Sequence, residues 1–157
     1  MHFLASLLLA ATVLTTASGQ HHPARRATPA ASGITKIAYE TASGGRLGGY
    51  SSLVITPDST VYIEGTRSSR KAFRAKTAPS AWASLAKSFN LSSFRQLKST
   101  PGHQAYDGTD VTLSITQGQE TVSRVNGEDD ALHYKALQPF TQQLDAQLAH
   151  CREQVAK

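Results

Sequence analysis

Two short acidic segments carry the residues that could do acid–base or metal chemistry. The first covers residues 106–110 and the second residues 128–130, and a histidine lies close to each. If the two segments meet at one end of a sheet, their side chains could hold zinc or act as general acid and base. A hydrolase or metal-dependent enzyme built in this way would use four residues: His103, Asp107, Asp110 and His133.

Asp107 and Asp110 could instead share a calcium ion, or bind no ligand at all. Calcium takes about six to eight oxygen ligands, and the regular acidic series of an EF-hand loop is missing around these two residues. In the ligand-free interpretation, Asp107 accepts hydrogen bonds from backbone amides and Gly108 takes a positive φ in a turn. Asp129 and Asp130 could likewise serve only to favour the positive end of a helix or turn.

A further metal candidate depends on where the chain is cut after export. Residues 1–19 combine an apolar run with a small-residue stretch, which is typical of a cleavable export signal. The apolar run, residues 3–14, is shorter than the roughly 20 residues that a membrane-spanning helix needs. We therefore predict a secreted or periplasmic protein with no membrane span after signal removal. Cleavage before Gln20 would place His22 third, where the free amine, two backbone amides and the imidazole form the square-planar nitrogen set that Cu(II) prefers.

The rest of the chain predicts a linker followed by one domain. Residues 20–32 have no apolar periodicity and are predicted to be a disordered linker, which leaves residues 33–157 as a single α+β domain. Cys151 is the only cysteine, so the domain cannot form an internal disulfide. This thiol falls on the apolar stripe of a predicted helix; it is either a small buried hydrophobe or a group for an intermolecular disulfide.

Two other segments have the composition of contact surfaces. The glycine-rich loop at residues 44–49 carries Arg46 and Leu47 at its tip, and it matches no phosphate-binding motif. A basic run without acidic residues follows in the next hairpin and could bind an anionic partner. It could equally be a solvated edge strand, where cationic side chains prevent aggregation. The basic run consists of Arg67, Arg70, Lys71, Arg74 and Lys76.

The elements that must position these groups follow from the hydrophobic pattern. Strands alternate apolar and polar residues, whereas the two helices repeat apolar residues every three or four positions. On the third strand, Val61 and Ile63 are predicted to face the core. The fold class is therefore α+β, an antiparallel sheet of about six strands in the order ββββαββα, with two helices packed on one face. The predicted strands cover residues 34–41, 50–56, 61–65, 71–76, 109–116 and 120–126, and the helices residues 78–89 and 137–153.

This layout is similar to that of small exported bacterial domains of unknown function. The shared features are a Gly-Gly loop between the opening strands, the helix that carries Trp82, and the Asp107-Gly108-Thr109-Asp110 stretch. Over residues 34–148 the order also distantly resembles emfourin-type inhibitors of thermolysin-like metalloproteases. The resemblance implies a role as a protease inhibitor.

Taken together, these features predict an exported non-enzymatic binding domain. The candidate contact residues are those of the basic run and of the glycine-rich loop tip. The partner is expected to be a protein or an anionic polymer outside the cytoplasm, and no cofactor is expected. The formal net charge is +5, and Arg25 and Arg26 of the predicted linker supply two of these charges. The remaining charge of about +3 on the folded part does not by itself imply nucleic acid. The alternative is the hydrolase or metal-dependent enzyme described above.

Overall fold

The fold was described from a computed structural model, which covers residues 33–45 and 48–157. The predicted signal, residues 1–19, and the predicted linker, residues 20–32, lie outside the described residues. The same is true of His22, Arg46 and Leu47.

A single antiparallel sheet of six strands forms one layer of the domain. Its spatial order is β4-β3-β2-β1-β5-β6, so β1 lies in the middle, between β2 and β5. The predicted α+β fold with a six-stranded antiparallel sheet is confirmed. The strands are β1 (Ile34–Ser43), β2 (Tyr50–Ile55), β3 (Ser59–Gly65), β4 (Arg70–Lys76), β5 (Thr109–Gln117) and β6 (Glu120–Val125).

Helices form the second layer, and there are more of them than the two predicted. The first helix ends at Ser88 and another starts at Leu91, because the Asn90 side chain accepts a hydrogen bond from Ser93 N at 3.0 Å and caps it. No helix among the described residues is long and apolar enough to cross a lipid bilayer. The helices are α1 (Pro79–Ser88), α2 (Leu91–Gln96), α3 (Ala131–Tyr134) and α4 (Gln138–Ala156).

The core lies between one face of the sheet and the helices. The predicted apolar stripe of the last helix is buried. The ring of Phe89, at the end of α1, packs against Phe94 of α2 and Phe140 of α4, with centroid distances of 5.4 Å and 5.0 Å. These rings contribute much of the buried apolar area, which is the main favourable term in folding. The opposite face of β5 and β6 carries hydroxyl pairs, Ser114 with Ser123 at 2.8 Å and Thr116 with Thr121 at 2.9 Å.

The prediction for the faces of β3 was wrong. Tyr62, which is 0% exposed, faces the core, whereas Val61 and Ile63 are only half-buried. Tyr62 pairs across the sheet with Leu53 and Phe73 in one inward row. A tyrosine buries more apolar area than a valine, and its hydroxyl still finds partners at the edge of the core. It donates to Glu64 Oε2 at 2.8 Å and accepts from Arg152 Nε at 3.4 Å.

Candidate functional site

The two acidic segments do come together, but their histidines form two separate pairs. His103 Nε2 lies 3.2 Å from Asp129 Oδ2, and His133 Nδ1 lies 2.9 Å from Asp130 Oδ2. Within residues 33–45 and 48–157, no group of three or more His, Cys, Asp or Glu side chains is arranged to hold a metal ion. The side chains proposed for a shared zinc or acid–base site are therefore distributed over different contacts.

Asp110 serves as an acceptor for its own loop and for the end of β6. Its Oδ1 accepts hydrogen bonds from Asn126 Nδ2 at 2.7 Å, His103 N at 3.0 Å and Gly102 N at 3.3 Å. The Asn126 amide, followed by the two backbone amides, holds the pKa of Asp110 below its usual range. Three donors at one carboxylate oxygen give Asp110 a structural role in fixing this loop.

Asp107 and Gly108 form the turn that the ligand-free interpretation requires, but in a different conformation. The positive φ, 59°, belongs to Asp107 and not to Gly108, so that part of the prediction was wrong. Aspartate tolerates this left-handed region better than most residues. Glycine is needed at position 108 for another reason, since a Cβ there would lie 2.7 Å from the carbonyl oxygen of His103.

The base of the glycine-rich loop is anchored to this same turn. Gly44 N donates to the carbonyl oxygen of Gly108 at 2.9 Å, and a Cβ on Gly44 would collide with the carbonyl oxygen of Gln104. Ser43 N donates to the carbonyl oxygen of Gly49 at 2.8 Å and closes the loop. The described ends of the loop are thus held in place, while its predicted contact residues, Arg46 and Leu47, lie outside the described residues.

The other side of the loop approaches the basic run. A Cβ on Gly48 would lie 3.9 Å from Arg67 Nε, which places the two predicted contact elements at one corner of the sheet. An open groove of about 380 Å³ lies at this corner. Its polar and aromatic lining includes Tyr50, Tyr62, Glu64, Ser69, Lys71 and Arg152.

Four of the five residues of the basic run lie on an edge strand, as one of the two sequence interpretations required, and Arg67 lies in the turn before it. β4 is the last strand of the sheet and pairs only with β3. The ion pairs of the described residues all lie elsewhere, so these cations have no carboxylate partner in that part of the chain. Five exposed cationic side chains belong to this run: Arg67, Arg70, Lys71, Arg74 and Lys76.

The register of the β3–β4 hairpin decides which backbone groups of β4 are free. Thr66 N donates to the Ser69 carbonyl at 2.9 Å, and Thr77 N donates to the Asp58 carbonyl at 3.3 Å. Hydrogen-bonded pairs alternate along an antiparallel ladder, so both bonds assign the even-numbered β3 residues to bonding with β4. The β4 residues left between them direct their N–H and C=O groups away from the sheet. They are Arg70, Ala72, Arg74 and Lys76, of which three are cationic.

The opposite edge of the sheet is covered in part. Val125 N of β6 donates to Ser99 Oγ at 3.1 Å, and the Val125 carbonyl accepts from Thr100 N at 2.9 Å. Further along β6, Arg95 Nη2 forms an ion pair with Glu120 Oε2 at 2.7 Å. The segment after α2 therefore occupies backbone groups at the β6 edge, whereas β4 presents an open edge.

Comparison with known proteins gives no assignment. No protein family matches the chain, and no curated protein matches it significantly. The functional conclusion therefore depends on the geometry of the corner and of the β4 edge.

Sequence reasoning missed several residues of this surface. Ala72 was overlooked because its contribution is a backbone N–H and C=O, although the alternation of Arg70, Arg74 and Lys76 in the strand pattern could have indicated it. Tyr50 and Arg152 reach the groove from β2 and from α4, which no local pattern connects. Only the folded sheet brings these two elements to the same corner.

Proposed function

We propose that this protein is an exported, non-enzymatic binding domain whose β4 edge accepts an extended acidic segment of a partner protein. The observation that carries the proposal is a coincidence on one strand. Apart from Ala72, each residue that directs its backbone groups outward also carries an unpaired positive charge.

Strand addition explains how such an edge would bind. The backbone of an added strand supplies affinity through main-chain hydrogen bonds, and alternate side chains supply specificity. Opposite charges directly across two strands are favourable, and like charges are unfavourable. The preferred partner therefore carries acidic residues at alternate positions, facing Arg70, Arg74 and Lys76. A polypeptide suits this edge better than an anionic polysaccharide, which cannot reproduce the ladder.

The groove beside the edge would extend the contact. Lys71 and Arg152 line it, and Tyr50, which is 39% exposed, offers an aromatic surface. A partner segment that passes along β4 could place an acidic or aromatic side chain there. The loop at residues 44–49, with Arg46 and Leu47, is the second contact element of the proposal.

A peptide-binding experiment tests the proposal. One probe has the length of β4, seven residues, with glutamates at alternate positions, and the other has the same composition with its glutamates contiguous. We expect the alternating peptide to bind more tightly and to protect the amides of Arg70, Ala72, Arg74 and Lys76 from hydrogen exchange. Equal binding of both peptides and of a sulfated polysaccharide, without amide protection, would favour a purely electrostatic surface and contradict strand addition.

Matched variants separate the edge from the overall charge. Charge reversal of the edge, R70E/R74E/K76E, should weaken binding of the alternating peptide at least about tenfold. The control K87E/K98E/K135E changes the net charge equally at exposed positions on other elements and should bind like the native protein. Ala72→Pro removes an outward N–H and should also weaken binding. The three edge cations can also be replaced by neutral glutamines. If this variant aggregates and no variant affects peptide binding, the cations serve only to prevent edge-to-edge association.

Inhibition of a protease is one specific form of this proposal. Proteases that bind substrates as extended chains have an extended segment in the active-site cleft, and that segment could pair with the β4 edge. Titration against thermolysin-like and serine proteases should then reduce turnover near stoichiometry. Unchanged turnover would reject the inhibitor form and leave strand addition to be judged by the peptide experiment.

Export is part of the proposal and has its own test. The mature protein should appear in the periplasm or the medium, with an N-terminus at Gln20 by Edman or mass-spectrometric sequencing. A cytoplasmic protein that retains residues 1–19 would contradict it.

A further inference from the structure

A cavity of about 170 Å³ lies between the helices and the β1–β5–β6 side of the sheet, remote from β4. Its apolar wall includes Phe94 and Leu97 of the α2 region, Leu113 of β5 and Leu144 of α4. An apolar protein cavity of about 150 Å³ can hold a molecule as large as benzene. This cavity is therefore large enough for a small organic group.

Two carboxylates, two tyrosines and the Arg124 guanidinium line the same cavity. Tyr39 and Tyr134 are half-buried, and the exposed carboxylates of Glu128 and Asp145 lie beside them. Burial, then the negative charge of Asp145 and of Glu128, raises the pKa of Tyr39; burial and Glu128 raise that of Tyr134. Neither carboxylate forms an ion pair within residues 33–45 and 48–157. The lining therefore includes two carboxylates without an ion-pair partner among the described residues, together with two tyrosines.

Arg124 adds a donor that has no acceptor. Its Nη1 donates to the Ser123 carbonyl at 2.8 Å and its Nη2 to the Arg95 carbonyl at 2.7 Å. Arg124 is one of the lining residues, and its Nε is buried and has no hydrogen-bond partner among the described residues. An unmet buried donor is costly.

We propose that this cavity binds a small organic ammonium compound, with its apolar body against Leu113 and Leu144 and its cationic nitrogen between Glu128 and Asp145. Carboxylates and tyrosine ring faces are the groups that attract an ammonium ion. The site does not depend on the β4 edge, so either can fail without the other.

A set of matched probes tests the charge requirement. Benzylammonium, neutral benzyl alcohol and anionic phenylacetate share one ring and differ in charge. In calorimetric or NMR titrations of the full protein, benzylammonium should bind about tenfold or more tightly than phenylacetate, and it should shift the signals of Tyr39 and Tyr134. Equal binding of the three probes, or no shift at either tyrosine, would overturn the proposal.

Surface variants test the carboxylates without disturbing the core. Replacing both, in E128Q/D145N, should reduce benzylammonium affinity about tenfold and leave benzyl alcohol affinity unchanged. The control D58N/E153Q removes two exposed acids elsewhere and should leave both affinities unchanged. Unaltered benzylammonium binding to E128Q/D145N would contradict the assigned position of the nitrogen.

The ammonium group could belong to a free amine or to a lysine side chain of another protein. Butylammonium and a lysine-containing peptide present the same four-carbon amine. Tighter binding of the peptide would identify a protein source, and tighter binding of butylammonium a free amine. Failure of both to bind where benzylammonium binds would restrict the ligand to aromatic amines.

Discussion

Asn126 Nδ2 donates a 2.7 Å hydrogen bond to Asp110 Oδ1, and this contact joins the end of β6 to the start of β5. Asn126 is 0% exposed. Its Nδ2 also donates to the carbonyl of Thr100, and its Oδ1 accepts from Val111 N, both at 2.7 Å. Because one side chain satisfies three segments, we expect this residue to control the order of the whole loop region.

Asn126→Ala should lower the free energy of unfolding by about 3 kcal/mol. The change leaves buried polar groups without partners, and alanine is strained at the φ of 48° that Asn126 adopts. Asn126→Gly removes the same hydrogen bonds without the strain and should cost about 1 kcal/mol less. Urea unfolding monitored by circular dichroism measures both. A loss of unfolding free energy below about 0.5 kcal/mol in both variants would show that the hydrogen bonds of Asn126 contribute little to stability.

Stability should fall at acid pH through Asp110 and Asp130. The pKa of Asp130 is lowered chiefly by its hydrogen bond with His133, as that of Asp110 is by Asn126. Since each folded pKa lies below the unfolded value of about 3.9, the stabilising contribution is complete above that pH. It is lost as the pH falls through the folded values. The free energy of unfolding should therefore decrease below about pH 4.

Asp110→Asn provides the matched measurement for this pH dependence. The variant has no titrating group at position 110, so its free energy of unfolding should decline less steeply between pH 4 and pH 2 than that of the native protein. Glu153→Gln removes one exposed acid that makes no hydrogen bond or ion pair among the described residues, and it serves as the control. An unchanged slope in Asp110→Asn would contradict the assignment.

Gly44→Ala should destabilise the protein by about 1–3 kcal/mol, because the added Cβ would overlap the Gln104 carbonyl and push the loop base off the turn. Gly49→Ala is the control in the same loop. There the nearest atom is the Gly65 carbonyl oxygen at 3.9 Å, an ordinary contact. Thermal denaturation of the two variants should separate them, and equal melting temperatures would mean that the loop base is not anchored.

The Cys151 thiol should react with Ellman's reagent only after the protein unfolds. It is 1% exposed, and burial raises its pKa, so the reactive thiolate is scarce and inaccessible in the folded state. Labelling in urea gives the reference rate. Rapid labelling of protein with a native circular dichroism spectrum would indicate that the end of α4 opens readily.

Much of the sheet and of the core could be predicted from the sequence. Alternation identified the strands, and the stripe of α4, including Leu144 and Leu148, was recovered because helical periodicity reflects burial directly. The faces of β3 could not be predicted in the same way, since Val61 and Tyr62 are both apolar enough to be buried. Which of the two side chains faces the core depends on the neighbouring residues in β2 and β4, and only the strand register identifies those neighbours.

The candidate site was less accessible to sequence reasoning. The sequence left open whether the two acidic segments approach one another. They do in the structure, but Asp129, and not Asp107 or Asp110, pairs with the His103 ring. Pairing partners are set by side-chain direction at single positions, which composition does not encode. The role of Asn126 depends on contacts with segments distant in sequence and gave no local signal.

The unequal edges of the sheet also limit how many chains can associate. Because the segment at residues 99–100 already occupies the backbone groups of Val125 in β6, β4 is the more open edge among the described residues. A second copy that paired through its own β4 would bring two cationic strands together, which repel each other. Under the proposed strand addition, the arrangement therefore favours a complex of one domain with one acidic strand, and it disfavours both open-ended fibres and symmetric dimers.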